Sequence, residues 1–569
     1  MARFELEPLK RARDEDDILN DSCDFMKRAR VEEEILDDYW DLDERDTELL
    51  QRFNPLLNMT VQDSWIRASF TSEEVDRLLC VAPMNCSIDE DYAGQRIIEK
   101  VAASGYIDIV PSIECDKPVH RTTPVHHAAK TRFCNWQVAA RLLLKIYANF
   151  RVDYIDDESG LNHMHVACMS GAVDVVEECL KLGYDIDRRV TVTGDSLLHL
   201  SVEHSQVEMF AFLLRRGVDI NSANSQGSTA LHLLGQRFYD DEFAEIFFRL
   251  IDENSLKVQI DFQDKSGNTA LHVAVDNKHR NLMKLLLRRG ADPNVANDKG
   301  QTFLHALCSE DIDSDILELL FKISDEKKRP LLINAQDERG NTPLHLALEE
   351  GLKVTAELLL KRGASLNLEN NDGSKALHVI CKRATFWTDG LPQWFFKLNQ
   401  NLLRTITVDA RDNSGKTPLE LALSDGNESL ARLLLNNGAS VSLANYDGST
   451  PLHLVSAKEG DNKNLLEFIF ELGKEKNQLV QVDARDKKGR TPLHITLTSE
   501  CKIESVRFLL DKGADISAVD DEKLTTLHYI CNNWKGDADN LLEKFFQIID
   551  DQSKEKSFKK FKFKHINSD

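Results

Sequence analysis

Eleven histidines share one place in a recurring motif, and they are the side chains with the clearest chemical potential. Each follows a threonine-like residue by three positions, as in Thr342-Pro343-Leu344-His345. An imidazole can act as a general base, a metal ligand or a hydrogen-bonding group. The eleven are His126, His165, His199, His232, His272, His305, His345, His378, His453, His494 and His528.

The spacing of these histidines argues against a metal or catalytic role. Successive motifs are 33 to 42 residues apart, so each structural unit carries one such imidazole. A zinc site needs three or four ligands that converge on one ion. One motif has Glu420 in place of histidine. We therefore expect no metal, and we expect an altered hydrogen-bond network around Glu420.

The eleven cysteines form no Cys-x-x-Cys pair and are odd in number, which indicates reduced thiols in a cell interior. Cys168, Cys308, Cys381 and Cys531 follow the motif within a helix, where a small buried thiol is expected to be inert. The chain contains no phosphate-binding, serine-hydrolase, zinc-protease or kinase motif. The sequence therefore predicts no enzyme, no cofactor and no small-molecule substrate.

The motif marks twelve repeated units, named repeats 1 to 12. Intervals are short (33 or 34) or long (39 to 42), and they alternate strictly from Ser196 onward. The threonine is a good helix N-cap and Pro343 suits the first helical position. A second helix is predicted to end at a glycine such as Gly363. The marking residues are Thr123, Asn162, Ser196, Thr229, Thr269, Thr302, Thr342, Lys375, Thr417, Thr450, Thr491 and Thr525.

These units resemble the ankyrin repeat family, whose hallmark is Thr-Pro-Leu-His-x-Ala with a period of 33 residues. The resemblance covers residues 118–550. It implies an all-α solenoid of about twelve helix-turn-helix units with β-turn fingers, in which short (33) and long (39–42) repeats alternate. It also implies histidines that bond neighbouring backbone and hydroxyl groups, and protein binding as the activity.

The long repeats carry extra residues where the short ones have the closing glycine. Residues 250–255, 323–328 and 472–477 are such polar stretches, and each is predicted to be an insertion. Alternating segments follow at 258–262, 406–408 and 480–482, and they predict short strands. The insertions are either tolerated surface growth or a row of partner-contacting loops.

Composition divides the chain into four segments. Residues 1–58 are predicted to be an acidic, partly disordered leader, since the first fifty hold 18 acidic and 8 basic side chains. Residues 59–117 are predicted to be a helical N-terminal cap or a degenerate repeat. The ankyrin array follows at 118–550. Residues 551–569 form a lysine-rich tail, predicted to be frayed, although its lysines and phenylalanines would also suit nucleic acid or an acidic lipid surface.

The expected function is a non-catalytic protein-protein interaction scaffold that binds a protein partner through the concave ankyrin face. Candidate contact residues at the turn tips precede each first helix and vary between repeats. Two tryptophans near the second helix of repeat 8 are interface candidates too, with local packing as the alternative. The candidates are Lys265, Lys299, Arg339, Asp372, Asn413, Tyr446, Lys487, Trp387 and Trp394.

The net charge of the chain and its two clusters of basic residues indicate which partners and which cellular location to expect. A net charge of −24 argues against nucleic-acid binding, and the chain has no apolar run long enough to span a membrane. Two Lys-Arg-Ala-Arg tetrads resemble nuclear import signals, so importin is an expected partner, with a salt-bridged helix face as the alternative. We expect an intracellular protein of nucleus, cytoplasm or both. The import candidates are Lys10, Arg11, Arg13, Lys27, Arg28 and Arg30.

Other functions stay open. The Gly160–Gly171 stretch resembles repeats of ankyrin arrays from parasitoid wasps and their associated viruses or bacteria. That likeness suggests a host-targeted effector, or an inhibitor that sequesters a transcription regulator of the Rel type. A substrate adaptor for a modifying enzyme is a further alternative, with residues 1–118 as the enzyme-binding part. A membrane-tethered cytoskeletal linker would instead use Lys554 to Lys564 to bind lipid.

Overall fold

A computed structural model describes residues 44–53, 55, 63–82, 93–107, 118–131, 135–237, 241–309, 314–384, 390–460, 462–498, 502–532, 545–547 and 549. Both Lys-Arg-Ala-Arg tetrads, Trp387 and the lysine-rich tail lie outside these residues. The chain forms two compact units, Met1–Leu286 and Leu287–Asp569, which we call the N-terminal and C-terminal bodies.

Helix pairs build both bodies, and each of repeats 1 to 11 contributes a first and a second helix. The first helices of repeats 1 to 12 are Pro124–Thr131, His163–Ser170, Leu197–Glu203, Ala230–Gln236, Ala270–Asp276, Phe303–Ser309, Pro343–Glu350, Ala376–Ala384, Pro418–Ser424, Pro451–Ala457, Pro492–Thr496 and Thr526–Asn532. The second helices of repeats 1 to 11 are Trp136–Ile146, Val173–Lys181, Val207–Arg215, Asp241–Glu253, Arg280–Arg289, Ser314–Lys327, Lys353–Lys361, Leu391–Asn401, Glu428–Asn436, Lys463–Glu475 and Ile503–Asp511.

Among the described residues, four helices precede the repeats: Glu44–Phe53, Asp63–Ser69, Ser72–Val81 and Ala93–Ala103. Ser72–Val81 packs against the first helix of repeat 1, and Ala93–Ala103 packs against its second helix. These two helices therefore cover the apolar side that repeat 1 would otherwise expose. The two short strands of the described chain, Val119–His120 and Tyr154–Ile155, pair in parallel.

The core forms where helices of successive repeats stack. In repeat 7, the first helix contacts the first helices of repeats 6 and 8, and its Leu344, Ala347 and Leu348 are buried. The second helix buries Leu359 and Leu360. A single helix pair could not bury these side chains, so the stability of each body depends on contacts between adjacent repeats. The predicted all-α solenoid is confirmed.

The local geometry of the motif agrees with its predicted role as a helix start. Thr342 is the N-cap of helix Pro343–Glu350, and its hydroxyl accepts a hydrogen bond from the backbone N–H of His345. In return, the backbone N–H of Thr342 donates to Nδ1 of His345 at 3.1 Å. Two helix-terminal amide groups, which have no partner within the helix, are satisfied in this way.

The histidines of repeats 3, 4, 6, 7, 8, 10 and 11 also connect their repeat to the following one. Nε2 of His345 donates to the carbonyl oxygen of Ser374 in repeat 8 at 3.1 Å, and Nε2 of His453 donates to that of Arg490 in repeat 11 at 3.0 Å. Because Nδ1 accepts and Nε2 donates, the imidazole must be neutral. Burial by itself also favours the neutral ring: it lowers the pKa of His126 to about 4 and that of His165 to about 3.

Two expectations about the long repeats are wrong. Residues 250–253, 323–327 and 472–475 extend the second helices rather than forming loops, so these helices have 13 or 14 residues where most short repeats have nine. Residues 258–262, 406–408 and 480–482 form no strand. Alternating side chains alone do not make a strand when no second strand lies beside the segment to complete the backbone hydrogen bonds.

Candidate binding surface

In repeats 5 to 11, an aspartate or asparagine side chain holds each turn tip. In repeat 7, Oδ1 of Asp337 accepts hydrogen bonds from the backbone N–H groups of Arg339 at 2.9 Å and Asn341 at 2.7 Å. This arrangement fixes a tight turn whose next two side chains point outward. The sequence signal for these residues is an Asp or Asn three positions before the turn glycine of repeats 5 to 11, which sequence reasoning missed. Equivalent residues are Asp264, Asn297, Asn370, Asp412, Asn445 and Asp486.

Adjacent tips are joined through their backbones. The N–H of Glu338 donates to the carbonyl oxygen of Lys299 at 2.8 Å, and the N–H of Asn371 donates to that of Arg339 at 2.9 Å. Gly340 permits this close approach, because it has a φ of 74° and a Cβ there would lie 2.7 Å from the backbone nitrogen of Asn371. Since the backbone makes the connection, the tip side chains remain available to solvent.

The structure places the predicted tip residues on these exposed turns. Tyr446 is 50% exposed, and the Arg411 guanidinium lies over its ring. Trp394 is part of the second helix of repeat 8 and is half-buried there, so it belongs to a different element from the tips. The other tip residues, all exposed, are Lys265, Lys299, Arg339, Asp372, Asn413 and Lys487.

A cavity of about 530 Å³ lies between the tips and first helices of repeats 7 and 8. The predicted residues Arg339 and Asp372 line it from the tips. Lys382 and Arg383 line it from the first helix of repeat 8, and they are contact candidates that sequence reasoning missed. We call the surface made by the turn tips and first helices of repeats 6 to 12 the tip face.

The two helix cations of this cavity are oriented by neutral oxygens. Lys382 Nζ donates to the hydroxyl of Ser374 at 2.9 Å. Arg383 Nε donates to the carbonyl oxygen of Glu349 at 2.7 Å. Gly351 leaves room for this guanidinium, because a Cβ at that position would lie 2.3 Å from it. The carboxylates of Glu338, Glu349 and Asp372 line the same cavity, so it presents groups of both charges.

The thiols have the environment of core residues. Burial raises the pKa of Cys179 to about 12, and it raises the pKa of Cys168, Cys308 and Cys381 still further. A thiol in this condition is a poor nucleophile. Cys531 was expected to be buried but is exposed. Repeat 12 is the last described repeat, and no further described repeat covers its first helix.

Neither a metal centre nor a membrane-spanning helix is present in the part of the chain that the structure describes. No three His, Cys, Asp or Glu side chains of the described ranges come together in a way that would hold a metal ion. None of the described helices combines the length and the apolar character needed to cross a bilayer.

Ankyrin repeat models match five stretches of the chain. The model described as ankyrin repeats in three copies matches residues 239–330 and 395–480. The model of many copies matches 164–214, and the single-repeat model matches 339–371 and 488–521. The chain belongs to the ankyrin repeat family.

Parts of this chain are similar to curated proteins of several different kinds. The human transient receptor potential cation channel subfamily A member 1 is 24% identical over 408 residues, which is 70% of this chain and 35% of that protein. The chicken nuclear factor NF-kappa-B p105 subunit is 32% identical over 207 residues, 34% of this chain and 19% of that one. The phosphocholine transferase AnkX of Legionella pneumophila is 27% identical over 238 residues, 39% of this chain and 24% of that one.

This ankyrin chain spans 35% or less of the length of these three relatives. Among solved structures, the ankyrin repeat domain of Bcl-3, described as a unique member of the IkappaB protein family, is 25% identical. The match covers 39% of this chain and 95% of that domain, with a TM-score of 0.33.

Proposed function

We propose that the protein is a non-catalytic interaction scaffold and that its tip face binds a protein partner. The cavity at repeats 7 and 8 supports this most directly, because tips and first helices converge there around charged side chains. Small-molecule sites are mostly apolar and enclosed. A cavity lined by three cations and three carboxylates, within a row of exposed tips, suits a polypeptide segment that carries charged side chains.

The tip face is tested by reversing charge inside the cavity. A protein partner is first isolated from cell extract by affinity capture on the wild-type chain. The double variant Arg339→Glu/Lys382→Glu is expected to bind this partner at least tenfold more weakly, because both cations line the cavity. The control is Lys361→Glu on the second helix of repeat 7, which should leave the affinity within about twofold. Affinities are measured by titrating the immobilised full-length chain.

Photo-cross-linking locates the contact independently. A cross-linking residue at Arg339 should trap the partner, and one at Val354, which is 61% exposed on the second helix, should not. Trapping from Val354 alone, or equal binding by the charge-reversed variant and its control, would place the interface elsewhere.

Sequestration of a transcription regulator is the second candidate function. The similarity to the p105 subunit over 207 residues is the observation that favours it. A purified Rel-type transcription factor is expected to bind the wild-type chain and to lose binding to the Arg339→Glu/Lys382→Glu variant. Absence of binding at micromolar concentrations would reject this candidate but leave the tip-face proposal standing.

We also propose nuclear import through the two Lys-Arg-Ala-Arg tetrads. Each offers three cations within four residues, which suits an acidic receptor groove. Changing Lys10, Arg11, Arg13, Lys27, Arg28 and Arg30 to alanine should lower the nuclear-to-cytoplasmic ratio of a fluorescent fusion severalfold. Changing Glu32, Glu33 and Glu34 to glutamine is the control, and it should leave the ratio unchanged. An unchanged ratio in the alanine variant would exclude these tetrads as the signal.

A further inference from the structure

Repeat 9 has a glutamate at the place that histidine occupies in the other eleven repeats. Glu420 is fully buried in the first helix of repeat 9. Its Oε2 accepts a hydrogen bond from the backbone N–H of Thr417 at 2.9 Å, and its own N–H donates to the Thr417 hydroxyl at 3.2 Å. One carboxylate oxygen therefore does what Nδ1 of the histidine does in the other repeats.

The second carboxylate oxygen of Glu420 does not reproduce the role of the other histidine nitrogen, Nε2. Oε1 is buried and has no hydrogen-bond partner. In repeats 3, 4, 6, 7, 8, 10 and 11, this side of the residue is an N–H that donates to the following repeat, as from His378 Nε2 to the carbonyl oxygen of Ala410 at 3.1 Å. By register, the corresponding carbonyl groups in repeat 10 are those of Leu443 and Ser449. Carbonyl oxygens only accept, so an ionised carboxylate cannot bond to them, whereas a protonated carboxyl can donate.

Few opposite charges stabilise an ionised Glu420. Burial is the largest influence and raises the pKa of Glu420 to about 7. The hydrogen bond from the Thr417 N–H and the charges of Arg411 and Lys416 favour ionisation, and Asp412 opposes it. The Arg411 guanidinium already donates a hydrogen bond to the carbonyl oxygen of Ala444. The packed helices contribute His378 and Cys381 from repeat 8 and His453 from repeat 10, together with Glu428 and Arg432, which are exposed on the second helix of repeat 9. Asp425 caps the end of the Glu420 helix.

We propose that Glu420 keeps its proton in the folded protein and makes the junction between repeats 9 and 10 sensitive to pH. The protonated carboxyl donates from Oε1 to a carbonyl of repeat 10. Loss of the proton leaves a buried negative charge opposite carbonyl oxygens, with no donor to meet it. Adjacent repeats stabilise each other, so a weakened junction lowers the protection of backbone amides against hydrogen exchange. This loss of protection begins in repeats 9 and 10, before it reaches the other repeats.

The direction of the pH effect is opposite to that of the histidines. The pKa of Glu420 is higher in the folded chain than the ordinary value of about 4.3 for glutamate. The stabilising contribution is therefore present below that ordinary value and is lost as the pH rises through about 7. Raising the pH from 6 to 8 weakens this junction, whereas the same change favours the buried neutral imidazoles.

The proposal is tested by hydrogen–deuterium exchange of the full chain at pH 6 and pH 8, with labelling times scaled for intrinsic exchange. The comparison is between wild type and Glu420→Gln, whose amide can accept from Thr417 and donate to repeat 10 without titrating. In peptides covering Pro418–Ser424 and Pro451–Ala457, wild-type protection relative to Glu420→Gln is expected to fall about tenfold from pH 6 to pH 8. No partner is needed, so the outcome is independent of the binding proposal.

Two further variants complete the test. Glu428→Gln removes an exposed carboxylate from the same repeat and should keep the wild-type pH dependence. Glu420→His restores the residue of the other repeats, and it replaces Glu420→Gln as the reference if the glutamine variant does not fold. Identical pH dependence in wild type and in the Glu420 reference variant would overturn the proposal, as would an equal effect of Glu428→Gln.

Discussion

Lowering the pH from 7.5 to 5.5 is expected to destabilise the protein by several kcal/mol, because protons bind to its buried histidines when it unfolds. Ten histidines of the repeat motif are buried, and each observed Nε2 bond requires a neutral ring. Burial holds the pKa of His126 near 4, well below the ordinary value of about 6.5. Protons therefore bind the unfolded chain more readily between these two values, and stability falls as the pH is lowered through that window.

The size of this loss of stability follows from how far the histidine pKa is lowered in the folded protein. At pH 5.5, a histidine with a folded pKa of about 4 lowers the free energy of unfolding by about 1.4 kcal/mol relative to its value at neutral pH. The unfolding free energy is obtained from urea titrations at each pH, kept above the isoelectric point near 5.2 to avoid precipitation. The control variant His126→Gln cannot titrate, so its loss between pH 7.5 and 5.5 should be smaller than that of wild type by about the same amount. A free energy of unfolding that is constant or rises on acidification would contradict the neutral-ring assignment.

Replacing His345 by alanine is expected to cost about 3 kcal/mol of stability in the C-terminal body. The substitution removes the acceptor for the backbone N–H of Thr342 and the donor for the carbonyl oxygen of Ser374. Both groups are buried, so neither regains a partner from water. The loss of ring volume adds a cavity between repeats 7 and 8.

His528→Ala is the matched control for this substitution. His528 accepts the same local hydrogen bond, from the backbone N–H of Thr525 at 3.1 Å, but its side chain is exposed. Water can replace that bond, so the loss should stay below about 1 kcal/mol. Both variants are compared with wild type by urea denaturation at pH 7.5. Equal losses in the two variants would mean that the bond to the next repeat contributes little.

The helix starts of the repeats were predictable because their signals are local. Thr342 caps the helix that begins at Pro343, and both residues suit these positions by their own chemistry. The closing turns of short repeats were predictable too, since Gly363 has the positive φ that glycine favours. The exposure of the turn tips was predictable from the repeat period, because every repeat places its tip at the same position of the motif.

The long repeats show where local patterns fail. The polar stretch 472–477 predicts an inserted loop, but most of these residues continue helix Lys463–Glu475. The turn that follows uses Asn477 at a φ of 52° in place of glycine, so its position could not be read from a glycine. The alternation at 480–482 indicated a strand, yet strand formation depends on a neighbour that the sequence pattern does not reveal.

The amino-acid sequence by itself determined the repeat, the start of each first helix and the row of exposed tips, because these depend on interactions within one repeat. Only the tertiary structure decided that Lys382 and Arg383 join Arg339 and Asp372 around one cavity, and that Oε1 of Glu420 is left without a donor. Both features arise between side chains of adjacent repeats, whose distances are fixed by how helix pairs stack and not by the order of residues within either one.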